Sequence, residues 1–224
     1  MRHTQRGMDR MVNFSDAVVA VAITILALPL VDIVTDVGGG EVGEVLAENW
    51  FSIWAFLLSF VVIARFWMGH HQLFERVKDY NSPLLWANVL WLASIVFFPV
   101  ATEAVTSGRD LDNIAVIIYI GTMLLTMLAA TLQVVILRRN PELVRDDHPD
   151  DLSLAPNFLV GGVFALALVV AIFSPYWGMW TLTLLAVTGL IEGIVARTRA
   201  RSGNAVPDER SDRPGDGAQT TQGG

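Results

Sequence analysis

Six long apolar runs constrain this chain more than any other feature of its sequence. A transmembrane α-helix needs about 20 mostly apolar residues, and each run is long enough to supply one. The chain is 53% hydrophobic with a mean hydropathy of +0.50, which is too apolar for an ordinary soluble domain. We therefore predict an all-α integral membrane protein with six transmembrane helices. The predicted spans are residues 12–32, 50–70, 83–105, 113–137, 155–174 and 177–197.

The charged residues between these runs predict the orientation of the helices. Arginine and lysine concentrate at the N-terminus, in the second and fourth loops and after the last run, whereas the first and third loops are acidic and contain one basic residue, Arg109. Cytoplasmic loops carry the excess of basic residues, so we expect both termini in the cytoplasm. Residues 1–200 then form the membrane domain. Residues 201–224, which are rich in Gly, Asp, Arg, Ser and Gln, are expected to form a disordered cytoplasmic tail.

Several classes of function are not expected from this sequence. The chain contains no cysteine, which excludes disulfides and cysteine nucleophiles. It also lacks the motifs of hydrolases and nucleotide-binding proteins and the basic stripe of a nucleic-acid-binding protein. His70 and His71 are adjacent, whereas two metal-binding histidines on a helix usually lie four residues apart. We therefore predict no enzymatic activity, no cofactor, no metal site and no nucleic-acid partner.

Polar residues of the first two spans lie at one predicted level of the membrane, near its cytoplasmic side. They are Arg10, Ser15 and Asp16 on the first span and Trp67, His70 and His71 on the second. A buried carboxylate is costly unless it is paired or hydrogen-bonded. We therefore expect Asp16 to be held by one of the other charged or N–H-bearing side chains in this group. The group is either a clasp between helices or a relay for protons.

Three further residues interrupt the apolar runs. Asn88 in the third run is expected to bond across helices, and Gln133 in the fourth run is expected to face a helix interface. Pro99 is expected to kink the third helix or to mark its outer end, with Glu103 just beyond that end.

One face of the first span forms a stripe with a single polar member. At 100° per residue the stripe comprises Phe14, Ala17, Val21, Thr24, Ile25 and Leu28. Such an apolar stripe is more often a packing surface than a pore. The Thr24 hydroxyl is expected to bond to the Ala20 carbonyl, as is common for threonine inside a helix. Asp16 lies off the stripe, so we expect it to orient the helix and not to contact a transported ion.

Three sequence patterns resemble those of the TMEM175 family of potassium channels. The first is Arg10-x-x-x-Phe14-Ser15-Asp16, which resembles the family's RxxxFSD signature at the start of the first span. The others are FWMGHHQLF at 66–74 and LLWANVLWLASIVFFPV at 84–100, which are similar to the family's second-span and third-span patterns. The resemblance covers about the first 105 residues, and the later spans agree with the family in number and length only.

The resemblance implies a tetrameric cation channel without a TVGYG filter, with a pore lined by the first span of each subunit. Counted from the FSD motif, the pore-facing positions are Val21, Thr24 and Leu28, which belong to the stripe described above. Val21 stands where the family often has Ile or Leu, and Ala17 where bacterial members commonly have Gly. The structural network around the first span would comprise Arg10, Phe14, Ser15, Asp16, Trp67, His70 and His71.

We therefore expect passive conduction of K⁺ across a prokaryotic plasma membrane, with other monovalent cations left open. The expected partners are the ion, the lipid bilayer and three further copies of the chain. Narrow rings of apolar side chains such as Val21 and Leu28 gate a pore by losing and regaining water. The alternative is a proton-coupled secondary transporter that uses Asp16 with His70 and His71. A membrane scaffold without transport activity is a third hypothesis.

Overall fold

The computed structural model describes residues 5–35, 42–107, 112–145 and 165–170, together with six single positions between 172 and 183. The chain divides into two units, residues 1–186 and 187–224, and every described residue belongs to the first. The regular elements are α1 (Gln5–Leu26), α2 (Leu28–Thr35), α3 (Val42–Glu48), α4 (Trp50–Glu75), α5 (Ser82–Thr106), α6 (Asn113–Arg139) and a 3₁₀ turn (Pro141–Leu143). Residues 165–170 are also helical.

Four of the described helical segments are long and apolar enough to cross a membrane. They are Gly7–Ile33, Trp50–Glu75, Ser82–Thr106 and Asn113–Arg139. These segments coincide with the first four predicted spans, so the all-helical, multi-pass part of the prediction is confirmed. The helical residues 165–170 fall within the predicted fifth span. The sixth span, apart from two positions, and the tail lie outside the described residues.

Local sequence explains where α5 and α6 begin. The Asn81 side chain accepts a hydrogen bond from the Leu84 N–H (2.9 Å), and the Asp112 side chain accepts one from the Ile114 N–H (3.3 Å). These side chains satisfy N–H groups that have no partner within the first helical turn. Pro83 occupies the first turn of α5, where its missing N–H costs nothing.

Proline has different effects on the first and third spans. Pro29 offers no N–H to the Ile25 carbonyl four residues earlier, and the first span is interrupted at Ala27, whose N–H bonds to the Thr24 carbonyl (3.2 Å). Pro99, in contrast, lies inside α5, which continues to Thr106. Of the two alternatives for Pro99, the one in which it marks the outer end of its helix is therefore wrong, and Glu103 lies within the helix. Neighbouring helices in a membrane commonly accommodate an internal proline.

Most of the apolar core lies among α1, α4, α5 and α6, and α5 packs against both α1 and α6. Trp91 and Phe98 on α5 are fully buried in this core. A second apolar cluster closes the end of the bundle where α1 begins and α4 and α6 end. There an isolated β-bridge joins Val77, after α4, to Val144, after α6. The bridge fixes these two loops to each other, and both valines belong to the apolar cluster that includes Met8 and Met11 of α1.

Candidate functional site

The two sides of the first span differ in exposure. One side is buried against the rest of the protomer and comprises Met8, Met11, Ser15, Val19, Ala22 and Leu26. The other side is the predicted stripe, in which Phe14 is 61% exposed, Val21 56% and Leu28 56%, and Ala17 and Thr24 are also exposed. Packing within the protomer therefore leaves Val21, Thr24 and Leu28 available to lipid or to another subunit.

The Thr24 hydroxyl donates to the Val21 carbonyl at 2.7 Å. The prediction that the Ala20 carbonyl is the acceptor is therefore wrong by one residue. The backbone at Ala27 also bonds to a carbonyl three residues earlier, as in the tighter 3₁₀ turn. Because the hydroxyl hydrogen is engaged by the helix, the oxygen lone pairs remain as acceptors on the exposed face.

Asp16 is held by a tryptophan of α4. The Trp67 Nε1–H donates to Asp16 Oδ1 at 2.8 Å, so Trp67 is the partner that the structure selects among those the sequence allowed. The Trp67 ring stacks on the His71 ring, with centroids 5.6 Å apart, and His71 Nε2 lies 3.3 Å from Glu75 Oε1. Arg10 lies exposed on α1. A continuous series of contacts therefore runs from the acid of α1 to the last turn of α4.

His70 takes part in a different network from Asp16. His70 Nε2 lies 2.7 Å from Asn88 Oδ1, and Asn88 Nδ2 donates to Ser15 Oγ at 3.0 Å. Gln133 Nε2 lies at the longer distance of 3.5 Å from Asn88 Oδ1. We call Ser15, His70, Asn88 and Gln133 the four-helix polar cluster, because they come from α1, α4, α5 and α6, respectively. All four side chains are buried, with exposures of 4% or less.

Aromatic rings further restrain the imidazole of His70. Its ring stacks on Trp91, with centroids 4.0 Å apart, and on Phe74, with centroids 4.3 Å apart. Trp91 Nε1 and Gln133 Oε1 are buried without a hydrogen-bond partner in the described part of the chain, which costs free energy. The sequence predicted interface positions for Asn88 and Gln133 but did not connect them to His70. Their only sequence signal was a polar side chain within an apolar run.

A second buried polar group, not expected from the sequence, lies towards the other ends of the long helices. Ser59 Oγ is 2.8 Å from both Thr102 Oγ1 and Tyr119 Oη. We call these three residues the hydroxyl cluster. It joins α4, α5 and α6 and includes no residue of α1.

A small recess lies beside the interruption of the first span. Pro29, Pro99 and Phe56 line it, and Glu103 is among its polar residues. Its volume of about 20 Å³ is enough for one water molecule. Among the described residues, no group of three or more His, Cys, Asp or Glu side chains is placed to hold a metal ion.

The fold and this site define a multi-pass helical membrane protein whose first helix is anchored on one side and exposed on the other. Residues 10–99 match the family model described as endosomal/lysosomal potassium channel TMEM175. The resemblance to the TMEM175 family that the sequence patterns indicated is confirmed over these residues. The match contains most of α1, all of α4 and most of α5, and these helices supply every residue of the four-helix polar cluster except Gln133.

Three bacterial relatives carry the name potassium channel. One from Chryseobacterium is 29% identical over 192 residues, which span 81% of this chain and 92% of the relative. One from Streptomyces collinus is 37% identical over 90 residues, spanning 40% and 43% of the two chains. One from Chamaesiphon minutus is 34% identical over 126 residues, spanning 54% and 61%. Potassium channels are a non-enzymatic class of protein, which agrees with the prediction that this chain is not an enzyme.

The fold is similar to that of a crystal structure described as a lysosomal potassium-selective channel TMEM175 homolog from Chamaesiphon minutus. The TM-score is 0.71 at 22% sequence identity, and the similarity covers 84% of this chain and 98% of the other. At this identity the likeness establishes a shared fold, which extends beyond the residues that the family model matches.

Proposed function

We propose that this protein is a potassium-permeable cation channel of a prokaryotic plasma membrane, in which four copies place the first span around a central pore. The observation that carries the proposal is the exposed stripe of the first span, which the protomer leaves uncovered while it anchors the opposite side. The names of the relatives support K⁺ as the ion. Six spans and two cytoplasmic termini, as the charged loops predict, complete the proposed subunit.

In this arrangement Val21, Thr24 and Leu28 form three stacked rings. The rings of Val21 and Leu28 are apolar, and a narrow apolar ring excludes ions by losing its water until a small dilation restores it. The Thr24 ring presents oxygen acceptors to a cation that has shed part of its hydration. Asp32 and Glu48, which are exposed near the outer ends of the first and second spans, raise the local concentration of cations.

Substitution at the rings tests the pore assignment in liposomes that contain the purified protein. We expect Leu28→Ala and Val21→Ala to change the K⁺ flux several-fold, because each enlarges a ring that controls wetting. Leu128→Ala on α6 and Val96→Ala on α5 are matched controls, since Leu128 is 53% and Val96 52% exposed and neither lies on the first span. Unchanged flux in both ring variants, with intact oligomers, would contradict the proposed pore.

The reversal potential under a K⁺/Na⁺ bi-ionic gradient measures selectivity and separates conduction from the alternative of proton-coupled transport. A channel gives a current that follows the electrochemical gradient of K⁺ and is independent of an imposed proton gradient. The relatives are named potassium channels, which does not favour the transporter. In addition, Asp16 is hydrogen-bonded to Trp67 and His70 lies at hydrogen-bond distance from Asn88, so two of the three candidate relay groups have structural partners. Saturable uptake that requires a proton gradient would overturn the proposal that the protein is a channel.

A further inference from the structure

Arg65 is a charged residue well inside a membrane span, and it faces outward. It lies ten residues before the end of α4, so the helical rise places its Cα about 15 Å from that end. The Arg65 side chain is exposed. Side chains three and four residues away on a helix are its natural partners, and here they are Val61, Val62, Met68 and Gly69. None is acidic, and Arg65 forms no ion pair within the described chain.

An unpaired guanidinium is costly in hydrocarbon, and such groups bind an anion or reach towards the membrane interface. The counter-charge for Arg65 must therefore come from outside the described protomer. The acceptor geometry that suits a guanidinium best is a carboxylate or a phosphate, to which it donates two parallel hydrogen bonds.

The surface around Arg65 has the order of groups that a phospholipid requires. Towards the outer end of α4, the exposed Leu57 and the half-buried Val61 provide apolar contacts. Towards the C-terminal end, Gly69 and Gln72 are both exposed. A Cβ added at Gly69 would meet nothing within 4 Å, so the surface one turn from Arg65 is open. Acyl chain, phosphate and headgroup would lie in turn along Val61, Arg65 and Gln72.

A second copy of the chain is a less suitable source of the anion. The exposed acids of the described surface lie at or near the ends of helices, as do Asp9, Glu75 and Glu103. Asp16 is deeper, but it is half-buried and accepts a hydrogen bond from Trp67. The described residues therefore offer no exposed carboxylate beside Arg65, whereas lipid phosphate surrounds each protomer at the interface towards which the long Arg65 side chain can extend.

We propose that Arg65 binds the phosphate of an anionic phospholipid in the leaflet at the C-terminal end of α4. This leaflet is the cytoplasmic one in the topology proposed above. Gly69 leaves room for the headgroup, and Gln72 donates a hydrogen bond to it. The site does not depend on ion conduction, since it lies on the opposite side of α4 from the Trp67 contact with α1.

The test measures binding of dioleoyl phosphatidylglycerol to the purified full chain in detergent, by native mass spectrometry and by the lipid-induced rise in melting temperature. Dioleoyl phosphatidylcholine, which is zwitterionic and has no net charge, is the comparison lipid. We expect Arg65→Gln to bind phosphatidylglycerol roughly tenfold more weakly, as for the loss of one charged hydrogen-bonded contact. Arg65→Lys should retain most of the binding. The matched control is Arg138→Gln, which removes an exposed arginine at the end of α6 and should change binding less than twofold.

Equal weakening in Arg65→Gln and Arg138→Gln would overturn the proposal, because it would show only general attraction between the protein and anionic lipid. Dissociation of the oligomer in Arg65→Gln with unchanged lipid binding would assign the anion to a second copy. Measurement of K⁺ flux with the same variants separates the two proposals. Flux without selective lipid binding rejects the lipid site alone, and lipid binding without flux rejects the channel alone.

Discussion

The four-helix polar cluster and the hydroxyl cluster differ in whether they include the first span. The four-helix polar cluster connects α1 to three other helices through Ser15 and Asn88, and the Trp67–Asp16 bond adds a second link nearby. The hydroxyl cluster connects α4, α5 and α6 alone. The first span is therefore tied by polar contacts near its start, and beyond Asp16 the contacts described between it and the other long helices are apolar.

This difference bears on how a pore of first spans would open. Helix association within lipid depends on close packing and interhelical hydrogen bonds, since lipid tails are as apolar as the helix surfaces. The outer part of the first span lacks described side-chain hydrogen bonds to the other long helices, is interrupted at Ala27 and borders the recess at Pro29. We expect movement in this outer part, with the anchored part near Ser15 remaining in place.

The largest expected effect is that of Asn88→Ala. The variant leaves the buried His70 Nε2 without its partner and opens a small cavity, which should lower the free energy of unfolding by about 3 kcal/mol. Thermal unfolding in detergent measures this loss, and K⁺ flux should change as well because α1 loses its link to α5. The control Asn13→Ala removes an exposed asparagine of α1. Equal stability of the two variants would contradict the conclusion that Asn88 stabilises the attachment of α1.

Trp67→Phe should have an intermediate effect. It removes the N–H that donates a hydrogen bond to Asp16 while keeping most of the aromatic surface. A hydrogen bond to a charged group contributes about 1.5–3 kcal/mol. We expect lower thermal stability together with altered flux, since the orientation of α1 changes. Trp86→Phe is the control, because Trp86 on α5 is 70% exposed. If Trp67→Phe behaved like Trp86→Phe, the second anchor of α1 would be unimportant.

Tyr119→Phe should have the smallest effect and should separate the two clusters. It removes one hydroxyl from the hydroxyl cluster, and a buried side-chain hydrogen bond in a membrane protein contributes about 0.6 kcal/mol on average. We expect a small loss of thermal stability and no change in flux, because α1 has no member in this cluster. Tyr176→Phe, at an exposed tyrosine, is the comparison. A change in flux as large as that of Trp67→Phe would show that the hydroxyl cluster also controls the first span.

Sequence by itself determined the first four spans and the identity of their polar residues. The length of an apolar run is a local property of the sequence. A polar side chain within such a run is also visible in the sequence, and it indicates an interaction because it needs a partner. The RxxxFSD pattern likewise indicated the TMEM175 family before any contact was known. The stripe that contains Val21, Thr24 and Leu28 followed from helical geometry, and the choice of these three as pore-facing positions followed from the family resemblance.

Only the tertiary structure decided which partners these residues take and which face of the first span is covered. Asp16 had several allowed partners, and the structure brings Trp67 to it while His70 lies against Asn88. That choice depends on how each helix is rotated about its axis. Sequence does not specify the rotation here, because lipid-facing and protein-facing surfaces are both apolar and carry no contrast in hydrophobicity.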